Sequence, residues 1–409
     1  MAEQVWQIRG ELTTGRTLHT TTALEGGASV LVVGGYDESG YLDVVERYSS
    51  ALESSETRAA LEVARHSHTA DRLLDGSVLV VGGYGDAEYL ASAERYDPVT
   101  DEWRAVGSMG DARIGHASVV LPDGRVLVVG GYNDSGLVAT AELFDPLADA
   151  WVSAGAMSSS RARHSATVLS DGTVLIAGGF VDEVAVDLVE RFDPDSMSFG
   201  VAAPLAHARW FHSAVRLADD TVWIVGGQDE LGALVTSELF DPVDGSIREG
   251  PILDEPRTQA SVTAFEDVAN CGDQVVLMGG FSGALPGASS VTLDPVDASL
   301  GPPLSMSVGR FEQTHARLDD CSIAVFGGRT SSGFAVGIDR LVELSEGSGG
   351  AGSGGGDSGA NGAGGWGGGS DGDGCSCSML GVADLSGLPV LLFGLAISRI
   401  ATSRRARRA

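Results

Sequence analysis

The 409-residue chain carries 26 Lys and Arg against 56 Asp and Glu, a formal net charge of -30, with 43% hydrophobic and 20% charged residues. That much apolar material excludes wholesale disorder and supplies a large core. So acidic a body repels phosphate backbones, which argues against nucleic acid and for cations or basic partners. Every cationic residue is Arg, and the excess negative charge sits in residues 1–345, where 21 Arg face 51 acids, while the remainder holds five of each sign.

At the start, MAEQVWQIRGELTTGRTLHT has no basic stretch followed by an apolar one, so no secretory signal is legible. Export would then need a start upstream of Met1 or a signal of another kind. Gln4-Val5-Trp6-Gln7 reads as a strand with an aromatic anchor and nothing before it.

Seven Gly-Gly pairs follow, beginning at Gly34, Gly82, Gly130, Gly178, Gly226, Gly279 and Gly327, at spacings of 48 residues except one of 53. Short apolar runs such as Val78 to Val81 and Val126 to Val129 end at these pairs and read as buried strands. Upstream lies a segment like Arg65-His66-Ser67-His68, then an Asp-Gly turn at Asp75, Asp123 or Asp171, which predicts an antiparallel hairpin. Downstream come a variable loop, a third strand such as Ala93-Glu94-Arg95-Tyr96-Asp97-Pro98 stopped by proline, and a fourth strand marked by Trp103, Trp151 or Phe199.

Gly-Gly, Glu-x-Tyr-Asp-Pro and Trp at this period resemble the kelch repeat, over residues 4 to about 345. The resemblance implies an all-β, seven-bladed propeller of four-stranded blades whose first strands line the axis. The seventh unit has no fourth strand before Gly-Ser sequence begins, so the orphan Trp6 strand is expected to complete it and remove an open sheet edge.

Residues repeated in every unit are expected to serve the blade. This covers the Gly pairs, the Arg series from Arg16 to Arg310, the imidazoles His19, His68, His116, His164 and His212, and the acids Glu46, Glu94, Glu142, Glu190, Glu238 and Glu343, expected to pair with the arginines. Function is expected where repeats differ, in the loops between second and third strands. Aromatic and polar residues recur there: Tyr36-Asp37, Tyr84 and Asp86, Tyr132 and Asp134, Phe180 and Asp182, Gln228-Asp229. They predict a rim that binds a protein, peptide or glycan, in a monomer with no cofactor and no metal. The other reading is a kelch-type enzyme acting on carbohydrate, an oxidase, epimerase or lyase; related propellers include copper oxidases that use Tyr, His and a Tyr-linked Cys. Cys271 and Cys321 occupy nearly matching places in adjacent units, and two readings stand, a disulfide and two free thiols.

Residues 346–374 form a Gly- and Ser-rich linker, with 16 Gly between Gly347 and Gly374. Cys375 and Cys377, an apolar run from Leu385 to Ser398 and five terminal arginines complete the chain. The order resembles myxobacterial C-terminal sorting tails, which implies trimming or lipidation near the Cys pair. It predicts a propeller on the outer side of a membrane or at the cell surface.

Overall fold

The computed structural model describes residues 4–265 and 274–343. They fall in one unit, Met1–Ser345; Cys271, Cys375, Cys377, the linker and the apolar run lie outside the described residues. Seven four-stranded antiparallel sheets follow one another around a ring. In blade two the strands Thr69–Arg72, Val78–Val81, Ala93–Asp97 and Glu102–Val106 pair in sequence order from the axis outward. Val78 to Val81 are fully buried because both sheet faces pack against neighbouring blades, which is why the second strands are continuous apolar runs and not alternating ones.

Among the described residues the core is divided between the blades. Seven clusters are each shared by two adjacent blades, as where Leu79 and Val81 of blade two meet Val126, Val128 and Phe144 of blade three. Burying one such side chain is worth about 1.5–3 kcal/mol, so each interface is a substantial part of the stability.

The ring closes as the orphan strand predicts. Gln4–Glu11 pairs antiparallel with Gly337–Glu343, setting Gln4 against Glu343 and Trp6 against Leu341. The blade order is therefore Thr314–Arg317, Ile323–Phe326, Gly337–Glu343 and then the N-terminal strand. This strand also reaches both neighbours: Trp6 bonds Ser290 of blade six at 2.8 Å, and the Tyr48 hydroxyl of blade one donates to the Arg9 carbonyl at 2.7 Å. Six of the seven loops between second and third strands fold into miniature two-residue hairpins, such as Tyr84–Gly85 with Glu88–Tyr89.

Candidate functional site

The repeated polar residues hold the blades together. Arg65 is fully buried and donates from Nη1 to the carbonyls of Gly82 (3.0 Å) and Ser92 (3.1 Å) and from Nη2 to Glu94 (2.7 Å). Glu94 accepts the backbone N–H groups of Glu62 and Val63 in the incoming link. One ion pair thus fixes the Gly-Gly corner, the third strand and the link. Burial lowers the Arg65 pKa, and the Glu94 carboxylate opposes that. Arg16–Glu46, Arg113–Glu142, Arg161–Glu190 and Arg209–Glu238 repeat the clamp.

Blade seven differs from the sequence expectation. Arg310 pairs with Asp339, and Glu343 is exposed opposite Gln4. The clamp joins residues 29 apart in blades two to five, and only Asp339 stands at that distance from Arg310. Blade six has no acid on its third strand, and Arg257 turns to Asp254 and Glu255 instead.

The imidazoles stitch one blade to the next. Nε2 of His68 meets Thr20 Oγ1 at 2.9 Å, His116 meets Thr69, His212 meets Ser165, and His19 closes the ring on Thr314. His164 breaks the series: no hydroxyl meets its ring, because the matching position one repeat earlier is Ala117, and the Val129 backbone is its remaining polar neighbour. Burial, with the neighbouring arginines, draws His19, His116 and His212 down to about 3. These imidazoles are neutral. The Gly pairs sit where blades nearly touch: Gly82 has φ 66°, and a Cβ there would lie 2.8 Å from the Arg113 carbonyl oxygen.

The residues that vary converge on one face. The first residue of each hairpin forms an antiparallel bridge with the residue after the clamp arginine: Tyr36 with Thr17, Tyr84 with His66, Tyr132 with Ile114, Phe180 with Ala162 and Gln228 with Trp210. Hairpins and links therefore share this face. Its aromatic rings form an unbroken arc, with centroid separations of 5.8 Å for Tyr36–Tyr41, 5.7 Å for Tyr41–Tyr84, 5.1 Å for Tyr84–Tyr89, 5.8 Å for Tyr89–Tyr132, 6.3 Å for Tyr132–Phe180 and 5.1 Å for Phe180–Trp210. Most contacts are edge-on, the arrangement the ring quadrupole favours. Tyr36 is 36% exposed, but Tyr132 and Phe180 are only 7% and 9% exposed. The latter two form the floor of the arc. Tyr41 and Tyr89, on the returning hairpin strands, are half-buried members that the sequence reading did not single out.

The acids divide in the same way. Asp37 and Asp229 accept backbone N–H groups within their own turns, so they shape hairpins. Asp86, Asp134 and Asp182 stand exposed at the tips, and Asp86 and Asp182 have φ 49° and 50°. Glu38 and Glu230 hold the matching places in blades one and five.

A second group went unnoticed in the sequence. The residues two beyond each clamp arginine, Leu18, Ser67, Gly115, Arg163, Phe211, Gln259 and Glu312, all have φ between 51° and 65°. Backbone bonds tie several to the next blade, including Ser67 N–H to Leu18 O at 2.8 Å and Arg163 N–H to Gly115 O at 2.8 Å. They encircle the axis where the links enter the inner strands. Holding non-glycine residues in this region costs about 1–3 kcal/mol each, strain of the kind concentrated at binding sites. Arg163 extends over Gly115 and places its guanidinium carbon 4.8 Å from the Phe211 ring centroid. Glu312 accepts from Thr17 Oγ1 at 2.8 Å, and burial raises its pKa. The available signal was the variable pair between a constant Arg and a usually constant His.

Seven four-stranded blades with Gly-Gly corners, set around a ring, form a β-propeller. Residues 2–179 match the KLHDC2/KLHL20/DRC7 Kelch-repeats domain. No curated protein matches the sequence. Among solved structures, the chain is similar to a fungal alcohol oxidase of the AA5 family in complex with copper, with a TM-score of 0.65 and 15% identity over 83% of this chain and 76% of that one. The likeness is one of fold. Among the described residues no group of three or more His, Cys, Asp or Glu is placed to hold a metal, and four of the repeated histidines are engaged with hydroxyls between blades. These residues do not fit copper.

Cys321 is disulfide-bonded, at a position with φ 67°. Among the described residues no helix is long and apolar enough to cross a membrane.

Proposed function

We propose that the protein is a Kelch-type propeller interaction module that takes a protein, peptide or glycan on its hairpin face, with no redox or hydrolytic chemistry of its own. One observation carries this reading: the repeat-constant Arg, Glu and most His side chains are bonded inside and between blades, while the varied side chains gather around the axis on one face. A rigid scaffold with a variable loop face is the usual arrangement for recognition.

The proposal includes location. A disulfide at Cys321 suits an oxidising compartment, and pairing with Cys271 accounts for it. The Cys375–Cys377 motif, apolar run and arginine cluster suit membrane anchorage with the propeller outside. The test is an array of peptides and glycans probed with the purified full chain, run beside an alcohol-oxidation assay after copper loading. Saturable binding without turnover supports the module; copper-dependent turnover would replace it with the enzyme. Membrane fractionation and mass spectrometry of the mature C-terminus test the location, and an intact chain in the cytoplasm with reduced thiols would contradict it.

A further inference from the structure

The aromatic arc has an unequal distribution of charge. Over blades one to three its exposed part is built from Tyr36, Tyr41, Tyr84 and Tyr89, with rings 5.1–5.8 Å apart along the arc. The exposed carboxylates of Glu38, Asp86 and Asp134 stand at the three hairpin tips. Burial raises the Tyr41 and Tyr89 phenols, and the nearby charges of Asp86 and Asp134 add to that shift, which puts these two carboxylates within electrostatic reach of the returning strands of the preceding hairpins. Among the described residues none of these three carboxylates is in an ion pair. Arg163 of blade four sits over Phe211 of blade five and also acts electrostatically on His66 beside Tyr41, Arg329 sits over Phe334 on blade seven, and the tips of blades six and seven carry Gly283 and Ser331 in place of acids.

We propose that this sector docks a basic peptide segment, with guanidinium or ammonium groups lying against the tyrosine rings and meeting the tip carboxylates. A cation over a Tyr face gains electrostatic attraction from the ring, and a carboxylate at the edge completes its coordination. The left-handed Asp86 and the two-residue hairpins hold these groups in fixed positions, so little conformational freedom is lost on binding. A neutral glycan would use the rings and leave the acids without a role. The inference rests on the binding-module reading above and specifies the chemistry of its partner.

Fluorescently labelled hexa-arginine is the probe, titrated against the full chain by polarisation, with hexaglutamate as its opposite. Because the whole protein is acidic, the informative comparison is between two variants of equal charge. E38Q/D86N/D134N neutralises the proposed site, and D97N/D145N/D193N neutralises three turn acids of the opposite face. The first should weaken hexa-arginine at least tenfold and the second less than twofold. Y41L/Y89L keeps every charge and should weaken it at least fivefold, with melting curves confirming that each variant is folded. Equal weakening by the two charge variants would overturn the proposal in favour of diffuse attraction, as would full affinity in the tyrosine variant. If hexa-arginine fails to bind while a neutral peptide or glycan from the array binds and is lost in Y41L/Y89L, the cation inference falls and the binding module stands. If nothing on the array binds and turnover appears, both fall.

Discussion

The indole N–H of Trp6 donates to Ser290 Oγ at 2.8 Å, joining residues 284 positions apart and tying the first strand of the chain to blade six as well as blade seven. Ring closure therefore depends on the amino terminus. Deleting residues 1–10 should lower unfolding free energy by several kcal/mol, since burial forfeited at about 25 cal/mol per Å² adds to an exposed edge. Trp6→Phe removes mainly the hydrogen bond and should cost about 1 kcal/mol in denaturant melts. An unchanged midpoint in the deletion would contradict the seam.

Arg113 and Glu142 form a 2.6 Å pair with the guanidinium fully buried. Arg113→Leu leaves a carboxylate that still accepts two backbone N–H groups but has lost its counter-charge, and should cost about 3–5 kcal/mol. Arg113→Lys should rescue little, because one ammonium cannot replace the forked donation to Gly130 O, Thr140 O and Glu142. Chemical denaturation of both variants checks this; a loss below about 1 kcal/mol in the leucine variant would show that the clamp is dispensable.

His164 offers a gain. Ala117→Thr should provide the hydroxyl that the other stitched histidines meet and raise stability by about 1 kcal/mol. Ala117→Val adds the same bulk without the donor and should give no gain. Equal melting temperatures for the two variants would mean that the hydroxyl is not the missing partner.

How far these features were legible depends on whether their partners lie inside one repeat. The seven corners could be counted because Gly82 and its counterparts sit where a Cβ would strike the next blade, which keeps glycine in every unit. The Arg65–Glu94 clamp closes within its own unit and was readable as a repeated pair. Asp339 was missed because its strand lacks the Glu-x-Tyr pattern, so Glu343 resembled the repeated acid more closely. The histidine stitches were illegible, since Thr69 and His116 lie 47 residues apart in different blades. At the candidate site the aromatic loops were visible, but the burial of Tyr132 and Phe180 follows from ring packing across hairpins, which no single loop encodes.

Acid should destabilise the propeller. Burial first, then Arg16 and Arg113, draw His19 and His116 from 6.5 to about 3, and His68 and His164 also fall well below 6.5. From pH 6.5 downward the unfolded chain takes up these protons and the folded chain does not, so stability falls by about 1.4 kcal/mol per pH unit for each. Asp71 works in the opposite sense: burial raises it to about 6, so it adds stability as pH falls from there toward 3.8. His66, His212 and His315 are drawn down as well, so the histidines outweigh Asp71, and urea melts at pH 7.5 and 5.5 should differ by at least about 5 kcal/mol. A flat profile would mean that the imidazoles are accessible to protons in the fold.

The central claim is that recognition belongs to the hairpin face, and hydrogen–deuterium exchange of the full chain with and without the tightest ligand from the array locates it directly. Protection should concentrate in residues 36–41, 84–89 and 132–137 and in the ring around Arg163, with the opposite turns at 97–101 and 145–149 unchanged. Protection confined to those opposite turns, with the hairpins exchanging as in the free protein, would contradict the account.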